Sequence, residues 1–319
     1  MKRLFGVSLA VLAMLVLLSF PCAAAQFPQR AITINVVFGP GGAADLAMRV
    51  VAEYAGKNGF NMTVVNKPSG GGTQAAIDTL SARPDGHAVL FGSTSALITL
   101  PLTQNPGYAM ADFVPVANIS NMPLTFCALT TSGIKSFKEW MDKAKAEPGK
   151  YNYGSPGPMS AQRMFLETLI KEKFPGVNAP HVPYQSGHEA NTALLGGQIK
   201  AAFGVPGTNK NYLQSGEFTL LAVSSAKRLP EYPNVPTFAE LYGDRYVWES
   251  FHGLFVHKST PKAVIDKLAG IVQAALKDPE VLEKFAKIGT TADYLGPTEY
   301  AAVLDRLAAF IKDSLANLK

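Results

Sequence analysis

Phe38-Gly39-Pro40-Gly41-Gly42-Ala43-Ala44-Asp45 sets three glycines between a strand-like and a helix-like segment. Glycine lets the backbone approach a ligand closely, and exposed N–H groups at a helix start attract an anion. Gly39, Gly41 and Ala44 also satisfy the dinucleotide-binding spacing, which needs a carboxylate about 20 residues on, at the end of the second strand. Asn66-Lys67-Pro68 stands there instead, so the nucleotide reading lacks its ribose contact. Asp45 would itself repel an anion. As a first-turn residue it suits the helix dipole; in a site it would position a water or a loop amide.

Gly154-Ser155-Pro156-Gly157-Pro158-Met159-Ser160 is a second loop of the same kind. Its glycines and serines offer backbone and hydroxyl donors at another helix start. One Gly-rich turn is ordinary in an α/β protein, but two suggest a cleft gripping both ends of a small anion. Ser93-Thr94-Ser95 adds hydroxyls directly after a buried strand. The enzyme motifs fail: there is no phosphate-binding G-x-x-x-x-G-K-[ST], no G-x-S-x-G elbow, and His188-Glu189 lacks the second histidine of a zinc helix. His87, His181, His188, His252 and His257 include no pair at ligand spacing on one helix, so each reads as a surface or packing residue. No metal site and no cofactor are expected. Cys127 lies in an apolar strand and reads as a buried, inert thiol. Trp248, Phe251 and Phe255 read as core.

Strands alternating with helices must position these loops. Ile32 to Phe38 alternates with period two; Ala44 to Lys57 carries Leu46, Val50, Val51 and Tyr54 at helical spacing. Strands are expected at 62–65, 88–91, 114–119, 124–129, 151–153, 201–203, 220–223 and 248–256. Helices are expected over 73–80 and 160–171. Ser136 with Glu139, and Thr237 with Glu240, have capping-box spacing. Thr260-Pro261, Asp278-Pro279 and Pro297-Thr298 open further helices. This alternation predicts mainly parallel sheets covered on both faces, in two α/β lobes.

The 319 residues suit about two domains, and 47% hydrophobic against 17% charged residues excludes intrinsic disorder. The net charge is +5, of which Lys2 and Arg3 supply +2, leaving +3 with no basic run. A nucleic-acid footprint is therefore absent. Met1-Lys2-Arg3, the uncharged Leu4 to Phe20 and then Ala23-Ala24-Ala25 follow the order of a secretory signal. Residues 1–25 are expected to be cleaved, leaving Cys127 alone and the protein without an internal disulfide.

These segments resemble the Bug/TctC family, the extracytoplasmic solute receptors of tripartite tricarboxylate transporters. The resemblance runs through Val36 to Asp45, Asn66 to Gly72, Pro84 to His87, Tyr153 to Gly157, His181 to Tyr184 and Leu194 to Gln198. It continues through Leu221 to Val223, Arg228, Asn234 to Thr237 and Trp248 to Val256, and so covers nearly the whole mature chain. It implies an α/β, two-lobed type II periplasmic-binding-protein-like fold with a ligand cleft between the lobes. Lobe one would be 26–125 and 247–319, and lobe two 126–246, with crossings near Asn121 to Phe126 and Tyr246. It also implies a periplasmic, non-enzymatic, monomeric receptor handing a di- or tricarboxylate, or a related organic acid, to membrane permease subunits. The ligand contacts it implies are Phe38, Gly39, Gly41, Gly42, Ala43, Asp45, Ser93, Thr94, Ser95, Ser155, Gly157, Met159, Ser160 and Gln185. Met159 replaces a usual glycine, and Gln185-Ser186 replaces a usual Lys-Gly, which removes a cation. Two other functions share these residues: an exported hydrolase using Ser93 or Ser155, which needs a base in reach, and a ligand-sensing partner of a membrane sensor kinase.

Overall fold

The computed structural model describes residues 27–157, 160–184, 186–288 and 290–317. The expected leader over 1–25 and the candidate residues Met159 and Gln185 lie outside the described residues. The strands are β1 (Ile32–Val36), β2 (Met62–Asn66), β3 (Ala88–Ser93), β4 (Phe113–Pro123), β5 (Thr125–Leu129), β6 (Tyr153–Pro156), β7 (His181–Tyr184), β8 (Ala201–Gly204), β9 (Phe218–Val223), β10 (Glu249–His257) and β11 (Ala292–Leu295). The helices are α1 (Ala43–Lys57), α2 (Thr73–Ser81), α3 (Leu100–Thr103), α4 (Phe137–Ala146), α5 (Ala161–Lys173) and α6 (Gly187–Leu195). They continue with α7 (Pro206–Gln214), α8 (Phe238–Tyr242), α9 (Lys262–Ala275), α10 (Pro279–Lys287) and α11 (Pro297–Asn317).

Two sheets form, a six-stranded one in the order β11-β4-β10-β3-β1-β2 and a five-stranded one in the order β7-β6-β8-β5-β9. They are mixed, which corrects the expectation of mainly parallel sheets. β1 pairs in parallel with β2 and β3, and β6 with β7 and β8. β10 runs antiparallel to β3 and β4, β11 to β4, and β5 to β8 and β9. The reason is connectivity: β4 leaves the first sheet, β5 enters the second and β10 returns, so these strands oppose the local βαβ units. β6 also starts two residues later than the alternation predicts, and β7, α6, α7 and β11 go unpredicted.

Register shows which ends of the sheets meet. Glu249 sits opposite Pro123, His252 opposite Ser93, and Val36 beside Phe91, so the carboxyl ends of β1 and β3 share the end where β4 departs. Thr125 sits opposite Gly204 and Ala202 beside Gly154, so β6 and β8 end where β5 begins. Only Leu124 separates β4 from β5. The loops after β1, β3 and β6 therefore all leave toward the crossover. Ser224 ties it together, accepting from the Leu124 N–H at 2.7 Å and donating to the Trp248 carbonyl.

Helix α1 turns Ala44, Ala47, Met48, Val51 and Ala55 onto the first sheet, where Ile32, Ile34, Val89 and Leu254 complete one core. In the second sheet the period-two alternation separates neighbours. Phe126 and Phe203 face one core while Cys127 and Ala202 face another. The larger core is continuous across both lobes: Phe310 of α11 packs on Phe165 of α5 and on Trp248, with centroids 5.9 and 5.4 Å apart.

Candidate functional site

The first loop is held from inside. The carboxylate of Asp45, 1% exposed, accepts from the Gly41 N–H at 2.8 Å and Arg49 Nε at 3.0 Å through Oδ2. Its Oδ1 accepts from Asn66 Nδ2 at 2.7 Å, which also donates to the Phe38 carbonyl at 3.0 Å. Arg49 closes the ring by donating to Asn66 Oδ1 at 2.7 Å. Burial alone would raise the Asp45 pKa, but the bonds from Arg49, Asn66 and Gly41 outweigh it and hold the carboxyl below its ordinary value. Asp45 thus fixes a loop amide and offers no free oxygen to the cleft. Asn66 fills the place of the ribose-binding acid, and its amide staples the loop.

This bracing orients the start of α1. Gly41 sits at φ +87°, open to glycine and strained for other residues. Gly42 is the helix N-cap and no side chain caps it. The N–H groups of the first turn have no intrahelical acceptor, and the dipole adds partial positive charge. Gly39, Gly41 and Gly42 are exposed, and a Cβ on any of them would meet nothing within 4 Å. Ala43 is half-buried. Phe38 stands beside them with its ring edge-on to Phe91 and His252, 6.0 and 5.1 Å between centroids. Gly72 supports the loop from behind, where a Cβ would lie 2.5 Å from the Val37 Cβ.

At the end of β3, two of the three hydroxyls are used internally, within the first sheet and the turn that follows it. Ser93 Oγ accepts from the Ala96 N–H at 3.3 Å, and Thr94 Oγ1 from the Phe251 N–H at 3.0 Å, both side chains being buried. Ser95 is the exposed member and opens a single π turn, Ser95–Thr99.

The second loop has a different chemistry. Ser160 caps α5 by accepting from the Arg163 N–H at 3.2 Å. Its Oγ lies 2.7 Å from that of Ser155, which lies 2.7 Å from His181 Nε2. Ser155 is 0% exposed, while Gly157 and Ser160 are half-buried. Burial, then the charge of Arg163, push His181 down to about 4, so it is neutral at pH 7. His181, read from the sequence as a surface or packing residue, packs here with a hydrogen-bond contact to Ser155. Its β7 register beside Tyr153, invisible without the fold, brings it to Ser155. The Arg163 guanidinium bonds Glu167 at 2.6 Å along its own helix.

Two sheets joined by crossover strands, with helix starts and Gly-rich loops converging on the join, define a two-lobed solute-binding protein. Residues 47–316 match the tripartite tricarboxylate transporter family receptor. A Cupriavidus necator protein described as a UPF0065 protein in the gbd 5′ region is 32% identical over 283 residues, covering 86% of this chain and 84% of its own. A TctC solute binding protein from Polaromonas superposes with a TM-score of 0.84 at 25% identity, covering 91% of this chain and 99% of its own. MatC from Rhodopseudomonas palustris, solved with bound malate, superposes with a TM-score of 0.60 at 26% identity, covering 91% and 98%. The chain belongs to the tripartite tricarboxylate transporter receptor family, whose members are periplasmic receptors. It is a solute-binding receptor and not an enzyme. The Ser155–His181 pair has the separation of a nucleophile and its base, but a hydroxyl sealed from solvent and shared with Ser160 serves the loop. Among the described residues no helix is long and apolar enough to cross a membrane, and no cluster of His, Cys, Asp and Glu could hold a metal ion.

Proposed function

We propose that this receptor captures a small di- or tricarboxylate, or a related organic acid, between its lobes and delivers it to the membrane permease of a tripartite transporter. The observation that carries this is the start of α1: uncapped by any side chain, exposed, and braced through Gly41 by Asp45. Phe38, Gly39, Gly41, Gly42 and Ala43 supply backbone donors and an aromatic wall. Ser95 follows β3 of the same sheet and joins them, while Gly157 and Ser160 follow β6 of the other sheet and line the opposite side. Met159 and Gln185 complete the proposed set of ligand contacts. Asp45, Ser93, Thr94 and Ser155 act from behind by fixing the loops. The lobes divide at residues 125/126 and 246/247. Malate bound to MatC supports the ligand class. Each hydrogen bond to a charged acceptor contributes about 1.5–3 kcal/mol. Four or five, less the cost of immobilising the ligand, suffice for micromolar binding, which is about 8 kcal/mol.

The leader over 1–25 directs export, and the mature chain begins at Gln26 as a periplasmic monomer. Mass spectrometry of protein recovered from the periplasm checks both points. The intact mass should correspond to a start at Gln26, and denaturation should release a small carboxylate. A retained leader would overturn the export proposal. A released ligand without a carboxylate would overturn the ligand class.

A further inference from the structure

We infer that His181 is a positioning residue that fixes the direction of a hydrogen-bond chain, so that Ser160 presents a proton and not a lone pair to the bound anion. The inference rests on the carboxylate reading above and adds a residue to it. The chain runs His181 Nε2, Ser155 Oγ, Ser160 Oγ, with both steps at 2.7 Å. A serine hydroxyl has one proton to donate and two lone pairs to accept with. Ser160 Oγ already accepts from the Arg163 N–H, so its remaining capacity is one lone pair and one proton.

Two arrangements satisfy these atoms. In the first, His181 carries its proton on Nε2 and donates to Ser155, which donates to Ser160. Ser160 Oγ has then accepted twice, and its own proton points outward to a carboxylate. In the second, His181 carries its proton on Nδ1 and Nε2 accepts from Ser155. Ser155 then accepts the hydrogen bond that Ser160 donates, which leaves Ser160 facing the ligand with a lone pair. That arrangement repels an anion and suits a ligand that donates, such as an alcohol or an ammonium group.

The histidine therefore decides which ligand chemistry the α5 start accepts. A serine pair alone would be indifferent, because either hydroxyl can rotate to serve as donor. Aligned donors also polarise one another in a site of low dielectric, so the outward proton is a stronger donor than an isolated hydroxyl. At pH 7 the ring is neutral, so its tautomer, and not a titration, sets the direction.

Nitrogen-15 NMR of the histidine rings in the mature protein, without ligand and with L-malate as probe, tests this. The expected spectrum at pH 7 shows His181 protonated at Nε2 in both states, with the signature lost or mixed in Ser155→Ala. An unprotonated Nε2 overturns the inference. Malate affinity of three forms is the second readout. His181→Ala should bind at least about tenfold more weakly, and His181→Gln, whose amide N–H can occupy the Nε2 position, should recover most of the loss. Equal weakening in both variants, or in neither, would reduce His181 to packing and overturn the inference. If malate fails to bind the wild type, that result counts against the ligand class alone, and the tautomer still decides the positioning role.

Discussion

Asp45 accepts three hydrogen bonds while 1% exposed, from Gly41 in the loop ahead of α1, Arg49 within α1 and Asn66 at the end of β2, and together they brace that loop. Asp45→Ala removes the charged acceptor of the Gly41 N–H and Arg49 and one of the two acceptors of the Asn66 amide. Hydrogen bonds to a charged group contribute about 1.5–3 kcal/mol each, less where water can replace them. Urea denaturation should show about 2–3 kcal/mol of lost stability, and unchanged stability would contradict the bracing role. The pH dependence follows from a carboxyl held below its ordinary value. Its contribution is complete above that value and is lost only as pH falls through the lowered one, so the loop stays braced at pH 5. The sequence already offers the fixing of a loop amide as one of two roles for Asp45. Its partners Arg49 and Asn66 are not legible there, because Asn66 reaches the loop only through the parallel pairing of β2 with β1. His181 is hidden for the same reason, 26 residues from Ser155 and beside it only in the sheet.

The crossover strands are the elements that the alternation of strand and helix reads least well. Period two finds β4, β5 and β10 but gives no direction, and these strands make the sheets mixed. Capping signals are read more securely, because they are local. Thr237 and Glu240 form the full reciprocal box at 3.0 and 2.9 Å. Ser136 accepts from Glu139 at 3.1 Å, but the Glu139 carboxylate takes the Lys135 N–H, so that box is half made. β10 opens with Glu249, 8% exposed and accepting from Asn121 of β4 at 2.8 Å. Burial raises its carboxyl to about 7, with nearby Asp293 adding to the rise and the Asn121 bond, the Ala226 N–H and Arg306 opposing it. The folded value lies above the ordinary 4.5, so the favourable contribution is complete below 4.5 and is lost as pH rises through about 7. Glu249→Gln should flatten this slope and stabilise the protein at pH 8 by up to about 3 kcal/mol. Urea denaturation of both forms at pH 5 and pH 8 checks it, and parallel stabilities at the two pH values would contradict it.

At the scale of the molecule, two sheets share one continuous aromatic core on one side of the crossover. Helix α11 adds to it by crossing onto α5, where Thr168 donates to Ser314 at 2.8 Å and Arg245 bridges Glu172 and Asp313. The two-lobed class was legible from the chain-long order of motifs. The reach of α11 onto α5 was not, because an amphipathic helix does not announce which surface it will cover. The central claim is that backbone donors at the start of α1 grip a carboxylate. Gly42 is the position to probe, since its φ of −74° and ψ of 159° suit any residue and a Cβ there meets nothing. Valine at this position should leave folding intact and stand in the path of the ligand. Titration calorimetry of ligand-stripped mature protein against mono-, di- and tricarboxylates, with Gly42→Val and Arg163→Gln alongside, is the most direct measurement. The account predicts micromolar binding of at least one carboxylate, a loss greater than tenfold in Gly42→Val at unchanged melting temperature, and a loss within about tenfold, or 1.4 kcal/mol, in Arg163→Gln. Normal binding by Gly42→Val with a thousandfold loss in Arg163→Gln would contradict it, because an ion pair and not the backbone would then hold the anion.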